Sequence, residues 1–357
     1  MRWSWKLKLL LFCVFTLAAG LSLHAQEQSS TESPIYKEPS PIPILTGYSG
    51  FQATFQPGQQ QLQPVIAPII LLPLGRRVLI EGEGEFEGEY TKTTGQPWVR
   101  HWSKGLEYLQ ANIFVNRDLT VVGGRFLTPF GIFNERLHPF WIKNVFINPI
   151  VTALEMDSST GGMLRGGIRL APDLNINYAA FFSAASTLKW ADATRAAGGR
   201  FSIFLPNERL EIGTSFKRQL QDEHFNTYGA DITWQAKKVP LDLRGEYVRN
   251  RLQGSGYWLE GAYRLRQVSF ARPFFRKSQA VVRMEQFFVP KSATGGEGDS
   301  ELPDVSTQRV LFGWNYYFTD ALKIGASYGR SFSSERDHNL WTIGIAYRWM
   351  IPLGGTK

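Results

Sequence analysis

Trp341-Thr-Ile-Gly-Ile-Ala-Tyr-Arg-Trp349 is the stretch whose reading decides the fold. Trp341, Ile343, Ile345, Tyr347 and Trp349 fall on one side of an extended chain, and Thr342, Gly344, Ala346 and Arg348 on the other. A period of two is the signature of a β-strand, whose successive side chains leave opposite faces of the sheet. The same rhythm runs back through the chain. Leu322, Ile324, Ala326 and Tyr328 oppose Lys323, Gly325, Ser327 and Gly329. Val310, Phe312, Trp314, Tyr316 and Phe318 share a face, as do Tyr228, Ala230, Ile232 and Trp234, and Leu174, Ile176, Tyr178, Ala180 and Phe182. Fourteen such segments follow one another from Leu79 onward, and none of comparable length has a helical period.

A sheet with so apolar a face must hide it. A soluble sandwich would use a second sheet and shorter strands. A transmembrane barrel uses lipid, keeps charge in its lumen, and repeats segments of about ten residues with aromatics near both interfaces. Tyr90, Phe114, Phe126, Trp234, Tyr247, Tyr316, Phe318, Trp341 and Trp349 sit near segment ends. The expected fold is all-β: a transmembrane antiparallel β-barrel of 14 to 16 strands over residues 76–350, with 351–357 a C-terminal tail. Residues 26–75 are read as an N-terminal extension or a first strand pair. The prolines between Pro64 and Pro73 argue against a central strand there.

Composition narrows the alternatives. Residues 1–25 carry Arg2, Lys6 and Lys8 ahead of an apolar run from Leu9 to Leu23, the pattern of a secretory signal peptide; a retained anchor is the alternative. The single cysteine, Cys13, lies inside that run, so a disulfide-stapled fold is excluded. Beyond Leu23 no apolar run approaches the roughly 20 residues of a membrane helix. A closed barrel is then the one way left to span a bilayer. The formal charge of +8 among 357 residues is mild and gives no nucleic-acid signal. Connections at one end are mostly short and at the other mostly long. That asymmetry belongs to barrels of the bacterial outer membrane.

Glu81, Glu83, Glu85, Glu87 and Glu89 form an acidic ladder on one face of the Leu79 segment. Charge at membrane depth is costly, so this face must meet water or cations. Arg125, Arg165, Arg169, Arg200, Arg244, Arg283 and Arg309 lie on polar faces of later segments. The two sets are read as pore-lining, setting a transverse field across a water-filled lumen. A self-compensating salt-bridge lining is the alternative. Residues 128–162 form the longest connection and are too apolar for an ordinary exposed loop. Folded into the lumen, they would bring Glu135, Arg136 and Lys143 to a constriction; a surface or subunit-contact loop is the other reading.

No catalytic constellation emerges. His101, His138, His224 and His338 map to loops or outer strand ends without metal-ligand spacing, and are read as facing solvent. There is no G-x-S-x-G elbow, and the glycine-rich stretch from Lys291 to Gly298 is read as a loop. Neither an enzyme, a metal nor a cofactor is expected.

The stretch Val121-Val-Gly-Gly-Arg-Phe-Leu-Thr-Pro-Phe-Gly-Ile132 resembles the family of phosphate-selective porins O and P. There, a barrel strand bearing Gly-Arg-Phe leads through a Pro-Phe-Gly turn into a long loop. The matching residues are Gly124, Arg125, Phe126, Pro129, Phe130 and Gly131. A looser similarity of strand rhythm extends from Leu79 to Trp349. The resemblance implies a sixteen-stranded, often trimeric outer-membrane channel with basic residues at its constriction, Arg125 being the matched lumen residue. The chain departs from that family in lacking a lysine-rich inner loop and in ending Leu353-Gly-Gly-Thr-Lys357 without a terminal aromatic. The expected function is passive diffusion of small hydrophilic solutes, with a lean toward anions. The expected partners are membrane lipid, those solutes and a homotrimer, with no nucleic acid. The alternative is a non-conducting or structural barrel that holds a partner protein in the outer membrane.

Overall fold

The structure, a computed structural model, describes residues 42–155, 157–188, 191–221, 224–290 and 302–353. The leader and the Lys291–Gly298 stretch lie outside the described residues. Sixteen strands make one sheet: β1 (Ile44–Gln56), β2 (Gln59–Leu74), β3 (Val78–Thr93), β4 (Val99–Phe114), β5 (Thr120–Leu127), β6 (Ser158–Ala171), β7 (Leu174–Ser183), β8 (Ala196–Leu205), β9 (Leu210–Gln219), β10 (Asn226–Gln235), β11 (Leu241–Asn250), β12 (Gly254–Arg264), β13 (Ser278–Phe288), β14 (Thr307–Tyr317), β15 (Leu322–Ser333) and β16 (His338–Pro352). Each is antiparallel to its sequence neighbours, and β1 pairs with β16 from Ile44↔Pro352 to Phe55↔Trp341. Closure leaves the sheet without an edge, the condition for putting a sheet in lipid.

The faces follow the alternation in the sequence. Along β16, Trp341, Ile343, Ile345 and Tyr347 are exposed on the outside, while Leu340, Thr342 and Ala346 are buried inside. Phe126 departs from the expected interfacial girdle: it is buried and meets Phe181 edge-on at 6.3 Å, in a cluster with Val122 and Met163.

The proline-rich segment is a full strand, although its prolines argue against a central one. β2 keeps an unbroken ladder to β1, and its ladder to β3 has gaps where Pro64 and Pro68 fall. The two prolines are four residues apart, so both turn their donor-less nitrogens toward the same neighbour. One ladder thus carries the whole loss. Pro73 lies beyond Leu71, the last β2 residue paired with β1, where no donor is needed. Further small shifts concern boundaries. β6 begins at Ser158, inside the stretch read as loop, and β16 runs through Pro352, into the stretch read as tail.

Residues 128–155 fold into the barrel, and the core lies there. Phe130, Ile132, Phe133, Leu137, Val151 and Leu154 pack with Val248, Trp258 and Phe287 of the wall. Phe140 and Phe146 stack at 4.7 Å beside Tyr48, Ala67 and Ala346. Val145 meets Val281 and Leu311. An otherwise polar interior so acquires an apolar filling supplied by one connection.

Candidate functional site

The inner loop is seated by shape. Gly131 has φ +60°, and a Cβ there would lie 1.3 Å from a Glu246 carboxylate oxygen. Only glycine accepts both conditions. At Gly344 a Cβ would come within 2.6 Å of the Phe146 ring, so the bare backbone of β16 is the floor on which that ring lies.

Polar groups of the wall then hold the loop's backbone. Gly131 N donates to Ser215 Oγ at 2.9 Å, Ile132 N to Glu246 Oε1 at 3.3 Å and Ile150 N to Glu285 Oε2 at 2.8 Å. Arg283 Nη2 donates to the Ile147 carbonyl at 2.6 Å and Arg309 Nη2 to that of Asn148 at 2.8 Å. Lys323 Nζ donates to the Lys143 carbonyl. An irregular segment inside a barrel has many backbone groups to satisfy, and these charged side chains supply partners.

The arginines are also paired with carboxylates. Arg200 meets Asp231 at 2.6 Å and Glu211 at 3.1 Å. Arg244 and Arg283 converge on Glu260, and Arg283 and Arg309 on Glu285, both at 2.7 Å. Arg136 of the loop grips Glu211 with both Nη atoms, at 2.7 and 3.0 Å. This half of the lumen is a compensated network. The sequence marked the arginines; most of their acidic partners (Glu211, Asp231, Glu260, Glu285) carried no signal beyond lying on polar faces.

The acidic ladder has different company. Glu81 accepts from Gln110 and Asn112, Glu87 from Gln63, and Glu89 from Gln61. The Tyr48 hydroxyl lies 3.0 Å from both Glu83 and Glu85. Arg165 reaches the ladder, 4.0 Å from Glu81 and 3.6 Å from Glu135 of the loop. Two of the marked arginines stand elsewhere. Arg169 is near the β6–β7 turn and donates to the Pro172 carbonyl at 3.4 Å. Arg125 pairs in register with Leu109, which is exposed on the outer surface. Its guanidinium donates to the carbonyls of Leu106 (2.6 Å) and Asp192 (2.7 Å). It fills the place where β4 runs on past the end of β5 and borders an interior cavity there.

Two loop residues have displaced proton equilibria. Burial pushes the Lys143 ammonium down to about 8, against the upward pull of Glu85 and Glu87. Its Nζ lies 5.9 Å from the centroids of both Phe133 and Phe140. His138 is a correction to the sequence reading: it is 9% exposed and belongs to the interior. Burial, and secondarily Lys143, pushes it down to about 3.

The space left around the loop is divided. A cavity of about 870 Å³ runs along the β1–β3 side, bordered by Gln61, Gln63, Glu85, Glu87, Glu107 and Lys143 among others. A second of about 490 Å³ touches Arg125, Asp157 and Lys217, and a third of about 170 Å³ touches Glu81, Glu135 and Arg165.

No family model matches the chain, and no curated protein matches it in sequence. Solved structures do match in fold. OmpF of Salmonella typhi, in complex with daunomycin, has a TM-score of 0.58 at 12% identity, covering 86% of this chain and 97% of its own. The anion-selective porin of Comamonas acidovorans gives 0.55 at 11% identity, covering 86% and 99%. The outer-membrane channel DcaP of Acinetobacter baumannii gives 0.54 at 10%, covering 86% and 97%. The likeness does not single out the phosphate-selective O and P family. The chain is a closed sixteen-stranded antiparallel barrel related in fold to the bacterial outer-membrane porins.

Proposed function

We propose that the chain is a passive diffusion channel of the bacterial outer membrane for small hydrophilic solutes. The observation that carries this reading is the large polar cavity between the inner loop and the acidic ladder, inside a barrel whose outer side chains are apolar. Solutes cross such a space without covalent chemistry, and wall charge biases which sign passes. The arginine excess led to an expected lean toward anions. Arg200, Arg244, Arg283 and Arg309 are already neutralised by carboxylates, and although Arg309 and Lys143 also reach the cavity, Glu85, Glu87 and Glu107 border it. The pairing pattern thus favours a weak preference for cations. Ohmic single-channel steps in a planar bilayer, with a cation-selective reversal potential in a salt gradient, are the expected result. An anion-selective potential overturns the sign, and no conductance at all overturns the channel.

A second reading draws on the three apolar clusters by which the loop fills the lumen. On it the barrel is closed and structural, holding a partner protein in the outer membrane. The same bilayer measurement separates the two. The homotrimer implied by the O and P resemblance is read from the mass of the detergent-solubilised barrel by light scattering; a single-chain mass removes it.

A further inference from the structure

Glu83 and Glu85 of β3 and His138 of the inner loop bring ligand-capable atoms to within 4.8 Å of one another. Neither ring nitrogen of His138 has a hydrogen-bond partner, although the residue is only 9% exposed. Its Nε2 is 3.9 Å from Glu107 Oε2, beyond hydrogen-bond reach. Buried imidazoles ordinarily satisfy both nitrogens, so this one is short of a partner. The carboxylate side of the cluster has hydroxyl donors but no ion-pair partner among the described residues. The Tyr48 hydroxyl stands 3.0 Å from Glu83 and 3.0 Å from Glu85, yet a phenol has one proton and donates to one acceptor. Glu83 is 2% exposed. Among the described residues no arginine or lysine lies within ion-pair distance of either carboxylate; the Lys143 ammonium acts on Glu85 only at longer range, with its Nζ 5.9 Å from the centroids of Phe133 and Phe140.

We infer that Glu83, Glu85 and His138 form a binding site for one divalent transition-metal ion of the zinc class, held by an imidazole nitrogen and two carboxylate oxygens. An ion there satisfies the orphaned histidine and the converging carboxylates together. The nitrogen ligand selects the class, because calcium and magnesium favour shells made of oxygen. Ligand atoms around tetrahedral zinc stand roughly 3.3 Å apart, so the side chains close inward by about an ångström on binding. Glu107, on a bulge of β4, is adjacent to complete the shell. Two ligands belong to the wall and one to the loop, so the ion staples the loop across the lumen. The inference is independent of the conduction reading, because binding is measured on the detergent-folded barrel.

The test titrates Zn²⁺ into the chelator-treated full chain by calorimetry, with folding checked by heat-modifiable electrophoretic mobility. One zinc per chain is expected. His138→Gln and Glu85→Gln each weaken binding by about tenfold or more, and an equal concentration of Mg²⁺ does not displace the metal. Zinc-edge X-ray absorption of the loaded wild-type barrel shows imidazole scattering, a readout that needs no variant to fold. A folded wild-type barrel that takes up no zinc overturns the inference, as does undiminished binding in either folded variant, displacement by Mg²⁺, or an all-oxygen shell.

Discussion

Arg283 illustrates what a basic residue does inside this barrel. Its side chain is 2% exposed and is shared between Glu285, Glu260 and the Ile147 carbonyl. Removing one member of a buried ionic group leaves the others uncompensated, at a cost of about 3–5 kcal/mol. Arg283→Met is expected to lose stability of that order, seen as a lower urea midpoint for the detergent-folded barrel. Lys143 makes a pH prediction. Its burial-lowered value of about 8 means that the ammonium is charged below that pH and neutral above it. Raising pH from 7 to 9 therefore removes positive charge beside the large cavity and moves the reversal potential further toward cations. Lys143→Gln should have the high-pH selectivity already at pH 7 and lose this part of the shift. His138, held down near 3, stays neutral throughout that range and contributes none of it.

At the scale of elements, the inner loop is the piece whose packing matters most. Phe133 meets the Trp258 ring edge-on at 6.1 Å, and Trp258 is 2% exposed. Truncating an aromatic in such a contact costs about 3–5 kcal/mol. Trp258→Ala is expected to show that loss in equilibrium unfolding. Single-channel conductance of the same variant should rise as the loop loosens from β12; an unchanged conductance would mean that the loop does not limit the path. β2 teaches a separate lesson about elements. Its prolines are tolerated because Pro64 and Pro68 share parity and spare the ladder to β1. A count of prolines misses this; their spacing of four carries it.

For the whole molecule, the outer surface defines the environment. Ile345, midway along β16, is 41% exposed on the face that alternation assigns to lipid. A cation at the bilayer midplane of such a face costs about 2–4 kcal/mol. Ile345→Arg should lower the stability of the barrel refolded into lipid vesicles by that amount, measured against Ile345→Val. If the face were covered by protein instead, the cost would not follow bilayer depth when neighbouring outward positions are substituted in turn.

The alternating pattern by itself determined the all-β class, the two faces of nearly every strand, the long inner connection as an apolar anomaly, and the acidic ladder of Glu81 to Glu89. Those features are local: they depend on a period of two and on which side chains tolerate lipid. Tertiary structure alone decided which arginine meets which carboxylate, that Arg125 closes a gap at a strand end, and that His138 lies beside Glu83. Residues 55 positions apart in sequence meet only because the loop folds back through the lumen onto β3. No periodicity along one strand records a contact between opposite walls of a closed barrel, since closure and loop insertion set those distances.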